Sequence, residues 1–194
     1  MKKILIVMLL SAWCLSCFAE SESDEEINKY ELQANNGDME AMLWLGRYYY
    51  EVGWEPLTTA FYNIGDIDKA IYWYKKAYRK GSIEGMYCYA GLTQNAKLMK
   101  KAADKGHVMA AYAYGQYCMS GNHHKKIREA IYYLDKASCS FPHAFWSLGV
   151  IYGSPDIGGE YYDMNKAIHY YRVGYQMGDS SCGDALRRIE QLGY

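Results

Sequence analysis

An all-α fold of stacked helix pairs is what this sequence predicts, on three observations. The first is composition. There are 22 tyrosines against 4 phenylalanines and 3 prolines, with abundant alanine, leucine and glycine and few β-branched residues, which favours packed helices over sheet. The second is a duplicated run: "DKAIYWYKKAYRKG" from Asp68 to Gly81 returns as "NKAIHYYRVGYQMG" from Asn165 to Gly178. The third is a series of short segments bounded by small residues: "AMLWLG" at Ala41 to Gly46, "GMYCYA" at Gly85 to Ala90, "AAYAYG" at Ala110 to Gly115 and "AFWSLG" at Ala144 to Gly149. Self-similarity at a spacing of 25 to 44 residues marks a repeat architecture.

In chain order, the first nineteen residues stand apart. Lys2 and Lys3 precede the apolar run Ile4 to Leu15, and "CFA" at Cys17 to Ala19 supplies a small-x-small cleavage pattern before the acidic "ESESDEE". This predicts a signal peptide over 1–19, cleaved after Ala19, and a periplasmic or secreted mature protein. The apolar run falls short of the roughly 20 residues that span a bilayer, so no membrane insertion is expected after cleavage. Lipidation at Cys17 is the alternative, disfavoured by Cys14 where a leucine is expected.

An acidic, disordered start is expected over 20–24 and a single repeat domain over 25–193. That domain divides into a half-repeat at 25–40, repeats at 41–84, 85–109, 110–143 and 144–181, and a C-terminal cap at 182–193. Within "DKAIYWYKKAYRKG", Ala70, Ile71, Tyr74, Ala77 and Tyr78 share one face at 3.6 residues per turn, with basic residues opposite. Related copies are "REAIYYLDKASCSF" around Glu129 and Ala130, and the weaker "TQNAKLMKKAADKG" from Thr93 to Gly106. Gly37, Gly81, Gly106 and Gly178 close these helices at left-handed C-caps, and Asp38, Ser82 and Asp179 are placed to cap the next ones. Gly46, Ala90, Gly115 and Gly149 lie inside the partner helices, where recurring small residues predict close helix approach.

The succession of small residue, Leu-Gly, aromatic, glycine-containing loop and Lys-Ala with a closing glycine resembles the Sel1-like repeat, a relative of the tetratricopeptide repeat. "AMLWLGRYYYEVG" with "DKAIYWYKKAYRKG", and "AFWSLGVIYG" with "NKAIHYYRVGYQMG", carry the resemblance best. The second repeat has almost lost its inter-helix loop, and the first has an expanded one, "EVGWEPLTTAFYNIGD" from Glu51 to Asp66. The resemblance implies a right-handed α-solenoid. It also implies a non-catalytic protein-protein interaction module, an adaptor or scaffold in the bacterial envelope. A narrower reading is a periplasmic immunity protein neutralising a secreted toxin or effector. The rival class is a weak hydrolase that binds cell-wall material or β-lactams, as some cysteine-rich members do, although those have regularly spaced cysteine pairs and this chain does not.

No residue constellation points to catalysis, a cofactor or a metal. "NHH" at Asn122 to His124 lacks a third ligand at useful spacing, and His107, His143 and His169 are scattered. "DIGGE" at Asp156 to Glu160 neither follows a strand nor holds a phosphate-binding lysine, so it reads as a turn. With a net charge of -1 and interspersed signs, nothing suggests nucleic acid or an anionic membrane as partner. Cys88, Cys118, Cys139 and Cys182 form an even set after signal removal, which in an oxidising compartment predicts at least one disulfide with pairing open. The tyrosine excess is the best pointer to a protein partner. Trp54, Phe61 and Tyr62 of the expanded loop, with Tyr50, Tyr161 and Tyr162, are the expected contacts.

Overall fold

Most helices in this chain begin where a short polar side chain can hold an N–H of their first turn. In the computed structural model, which describes residues 24–51, 66–120 and 126–193, Asp38, Ser82 and Asp179 accept from the backbone N–H groups of Ala41, Gly85 and Cys182, each at 3.0 Å. Asp66, Asn95 and Asp163 do the same for Lys69, Leu98 and Lys166 at 3.0, 3.0 and 3.1 Å. Each cap satisfies a donor that the helix itself cannot reach. The helices stop as legibly. Gly37, Gly81, Gly106 and Gly178 take φ of +102°, +101°, +91° and +95°, and the residue after each donates back across the last turn, as Ser82 N–H does to Ala77 O at 3.1 Å.

All regular structure among the described residues is helical. The chain divides into two compact units meeting between Gly85 and Met86, so the domain expected over 25–193 is described unit by unit. In the first unit, α1 spans 24–35, α2 Met39–Glu51 and α3 Ile67–Arg79. Asp24, assigned to the acidic start on sequence, already belongs to α1, because the polar run ahead of Ile27 continues the same helix. Ala34, Ala41, Met42, Leu45, Trp73 and Ala77 form the core, with Tyr30 and Trp44 against it. Tyr74 lies against Gly46, where an added Cβ would stand 2.6 Å from its Cε1. The expected hairpin packing through small residues is therefore present.

In the second unit, α4 (Ile83–Leu92, whose first three residues belong to the first unit) is followed by α5 (Ala96–Asp104), α6 (Val108–Met119), α7 (Ile127–Ser138) and α8 (His143–Gly153). Then come α9 (Pro155–Gly158), a 3-10 turn (Gly159–Tyr161), α10 (Met164–Gln176) and α11 (Ser180–Gln191). The stretch read as a turn at "DIGGE" is this short helix and 3-10 turn. Gly159 bends it at φ +54°, and a side chain at Gly158 would collide with the carbonyl of Ile151. α6 pairs with α7 and α8 with α10; α7 then packs on α8 and α10 on α11, while α8 touches α6 and α11. Successive helix pairs thus stack, with first helices beside first helices, as a solenoid requires. Leu134, Leu148 and Ile151 are fully buried in this stack, each worth roughly 2 kcal/mol against exposure. On the second helices, the Tyr133 hydroxyl donates to Asp104, whose other oxygen lies 3.0 Å from Lys100 Nζ, tying α5 to α7.

Candidate protein-binding surface

Charge is distributed unequally between the helices of the second unit. α6 and α8 contain no Asp, Glu, Lys or Arg, and neither does α4 from Met86 to its end. The charges fall mainly on α5, α7, α10 and α11. A helix with no charge is normally buried all round, yet α6 and α8 each leave aromatic side chains half-exposed.

These aromatics occupy one repeat position, two residues after the small residue that opens each motif: Tyr87, Tyr112 and Trp146. The start of the next first helix supplies each tyrosine with an imidazole, His107 capping α6 and His143 opening α8. His107 stacks on Tyr87 with centroids 4.5 Å apart, and its Nδ1 accepts from Ala110 N–H at 3.0 Å, capping α6. His143 lies 6.0 Å from the Tyr112 ring and stacks on Trp146 at 5.2 Å and 7°. Phe141 meets Tyr112 edge-on at 4.7 Å, and Gln116 Nε2 donates to the Tyr112 hydroxyl at 2.7 Å. The row closes at Asp179, whose Oδ2 is 2.7 Å from His143 Nδ1. Burial raises the Asp179 pKa, but the Cys182 N–H and His143 outweigh it and leave the carboxyl below its ordinary value.

The result is a half-buried band of rings and hydrogen-bonding groups carried by three successive first helices and ending on the Asp179 carboxylate. Large, stiff aromatic surface with polar tips is what recurs where proteins recognise one another. Sequence reasoning did not single out Tyr87, Tyr112, Phe141, His143 and Trp146 as contacts. The signal was the recurrence of an aromatic at one register position.

Of the residues expected as contacts, Trp54, Phe61 and Tyr62 lie outside the described residues, as do Asn122 to His124. Tyr50 is exposed at the end of α2 in the first unit. Tyr162 is exposed, while Tyr161 packs on the Tyr152, Ala167 and Tyr171 cluster and accepts from Arg128 Nε at 3.2 Å. Cys88, Cys118, Cys139 and Cys182 are present as thiols, half-buried, buried, exposed and buried in turn. Among the described residues no cluster of three or more His, Cys, Asp or Glu is arranged to hold a metal ion, and no helix is long and apolar enough to cross a membrane.

The chain is similar in structure to a Sel1 repeat protein from Oxalobacter formigenes, with TM-score 0.65 and 21% identity over 86% of this chain and 76% of the other. It is similar to a protective antigen of uropathogenic Escherichia coli that displays an SLR fold, with TM-score 0.67 and 20% identity over 84% of this chain and 36% of the other. An immunity protein from Pseudomonas aeruginosa matches with TM-score 0.54 and 23% identity over 80% of this chain and 59% of the other. The chain thus spans about a third of the antigen and somewhat over half of the immunity protein. No curated relative matches it. A family model of the Sel1 repeat matches residues 40–82, 96–107, 108–140 and 144–179. With its repeats and its stacked helix pairs, the chain belongs to the Sel1 repeat family, whose repeats generally mediate protein-protein binding and are generally not catalytic.

Proposed function

We propose that the chain is an exported, non-catalytic module that binds a protein partner through the aromatic band of its first helices. The observation that carries this reading is the charge-free pair α6 and α8, with Tyr112, His143 and Trp146 half-exposed between them. Solvation alone would put charges there, as it does on α5 and α7. Export to the envelope rests on Lys2, Lys3, the apolar run and the cleavage pattern at Ala19. Affinity purification of the tagged chain from envelope extract tests the proposal. The wild type retains a stoichiometric partner, and Tyr112→Ala with Trp146→Ala releases it at a temperature where the variant keeps its helical signal. Truncation of an interface anchor costs about 2 kcal/mol or more. Retention unchanged by the double variant sinks this surface.

The narrower immunity reading is prompted by the small size, the leader and the similarity in fold to the Pseudomonas protein, a likeness that carries the fold alone. It predicts that the chain protects a strain from one secreted toxin encoded beside it, and growth in competition with a strain lacking the chain decides. Export carries a further expectation, a mature terminus at Glu20 and at least one disulfide, read by mass spectrometry of protein taken from the periplasm.

A further inference from the structure

We infer that His143 is the specificity-determining residue of the aromatic band: its Nε2 accepts a hydrogen bond from the partner at neutral pH, and protonation there makes the band release that partner in acid. The inference rests on the reading of the band as a binding surface. Its geometry starts at the buried end, where Asp179 Oδ2 and His143 Nδ1 stand 2.7 Å apart. The Asp179 side chain keeps 9% of its surface exposed and that of His143 keeps 34%. The part of the pair that a partner reaches is therefore the imidazole, and Nδ1 is its anchored nitrogen.

The carboxylate decides which nitrogen carries the proton. Burial pushes the Asp179 carboxyl up, but the Cys182 N–H and His143 outweigh it, so the group is ionised at neutral pH and can only accept. Nδ1 must donate, which leaves Nε2 of the neutral ring as a bare acceptor. His107 is the reverse case: its Nδ1 accepts from Ala110 N–H at 3.0 Å, so its proton sits on Nε2. The other contacts of His143 fix its plane. It stacks on Trp146 at 5.2 Å, with the Tyr112 and Phe141 rings inclined to it at 6.0 and 6.2 Å. Tyr112 carries no charge here and its hydroxyl is held by Gln116, while Cys182, beyond Asp179, is a thiol pushed up to about 12. α7, α9 and α10 also pack on α8, and among the described residues none of them brings a charged group to the ring. Asp179 is thus the charge that His143 meets. A partner matched to this ring brings an N–H or O–H to Nε2. In the imidazolium Nε2 becomes a donor, and two donors then face each other in a desolvated contact.

Long-range proton-nitrogen correlation spectra of the nitrogen-labelled chain read the ring nitrogens directly. The His143 signals are identified by their loss in His143→Gln or, should that variant lose helical signal, by their shift in Asp179→Asn. At pH 8 the proton is expected on Nδ1 of His143, against Nε2 of His107, and acidification to pH 5 adds one at His143 Nε2. A bare Nδ1 at pH 8, or no proton gained by pH 5, overturns the assignment. The second arm takes the protein that the wild type retains from envelope extract at pH 7.5 and measures its affinity there and at pH 5.5. A drop of about tenfold in acid is expected, whereas His143→Gln binds severalfold more weakly at pH 7.5 and equally at both. An acid effect that His143→Gln shares, or none in the wild type, sinks the gating. Retention of nothing at pH 7.5 sinks the band and the gating with it, while a retained partner beside the wrong tautomer sinks the gating alone.

Discussion

His143 Nδ1 and Asp179 Oδ2 stand 2.7 Å apart, joining the first turn of α8 to the cap of α11. The carboxylate does two jobs at once, since its other oxygen holds Cys182 N–H at 3.0 Å, and its side chain is only 9% exposed. The pair thus ties α11 to α8, on which it packs.

Asp179→Ala is therefore expected to lower unfolding free energy by about 2 kcal/mol, from a lost cap and a lost charged hydrogen bond. Asp179→Asn keeps a capping oxygen and isolates the interaction with His143. The carboxyl is held below its ordinary value of 3.8 in the folded state. Its contribution is fully present above that value and is lost as pH falls through the lower folded one. Urea unfolding of wild type between pH 7 and 2 should thus show an acid limb that Asp179→Asn flattens. Identical limbs would remove the pair from the stability account.

Gly115 faces Leu134 across the α6 and α7 hairpin, and a Cβ there would stand 2.7 Å from Leu134 Cγ. Helix propensity favours alanine by roughly 1 kcal/mol, but overpacking a closed core costs about 1–3 kcal/mol, and Leu134 is fully buried. Gly115→Ala should destabilise on balance, by about 1 kcal/mol. Gly91, exposed near the end of α4 with only Met99 Cε at 3.9 Å, gives the opposite sign. Gly91→Ala should stabilise by a few tenths of a kcal/mol, because the last turn gains less than a helix centre. Denaturant midpoints of both variants check the pair, and the same sign at both positions defeats the close-approach account.

Local signals were legible in the sequence and cross-repeat ones were not. Gly81 and Gly178 announce helix ends because left-handed backbone suits glycine, and Asp38 and Asp179 announce starts because the cap bond lies within three residues. Tyr72, Trp73 and Tyr74 stand side by side in sequence, yet Tyr72 is 54% exposed while Trp73 is 5% and Tyr74 6%. The face read from the sequence included Tyr74 and omitted Trp73, whose burial depends on Ala34, Met42 and Leu45 of the neighbouring helices. His107 is a cap of unusual type, so its role emerged only with the Ala110 N–H in place. In the band, Tyr87, Tyr112 and His143 each meet a residue at the start of the next first helix, and such pairings exist only once helix pairs stack.

Ser147 is a polar residue inside the charge-free α8. It is fully buried, and its hydroxyl has no hydrogen-bond partner among the described residues. The same register position in α6 is Ala113. Ser147→Ala removes a desolvated hydroxyl and gains helix propensity, so unfolding free energy should rise by about 1 kcal/mol. A loss of stability in thermal or denaturant melts would mean that the hydroxyl holds a group the packing needs.

The thiols give the last prediction. Cys139 is exposed at the end of α7, whereas Cys118 and Cys182 are fully buried. Cys182 has no room for an adduct. Its Sγ would stand 2.5 Å from a Cβ on Gly174, a position that Phe145 also crowds. Burial, then the nearby Asp179 charge, push its pKa up to about 12, and burial raises that of Cys118. Thiolate is the reactive form, so both are doubly protected. Reduced protein mixed with a disulfide reagent at pH 8 should modify Cys139 first and Cys88 more slowly, with Cys118 and Cys182 reacting only at the rate of unfolding. Because the folded thiol ionises later than the unfolded one, the contribution of Cys182 is complete below the ordinary value of 9.0. It is lost as pH rises from there toward about 12. Cys182→Ser should remove that part of the alkaline loss, at the expense of a less apolar fit beside Gly174. Rapid labelling of Cys182 in folded protein would show that α11 opens independently of the helices it caps.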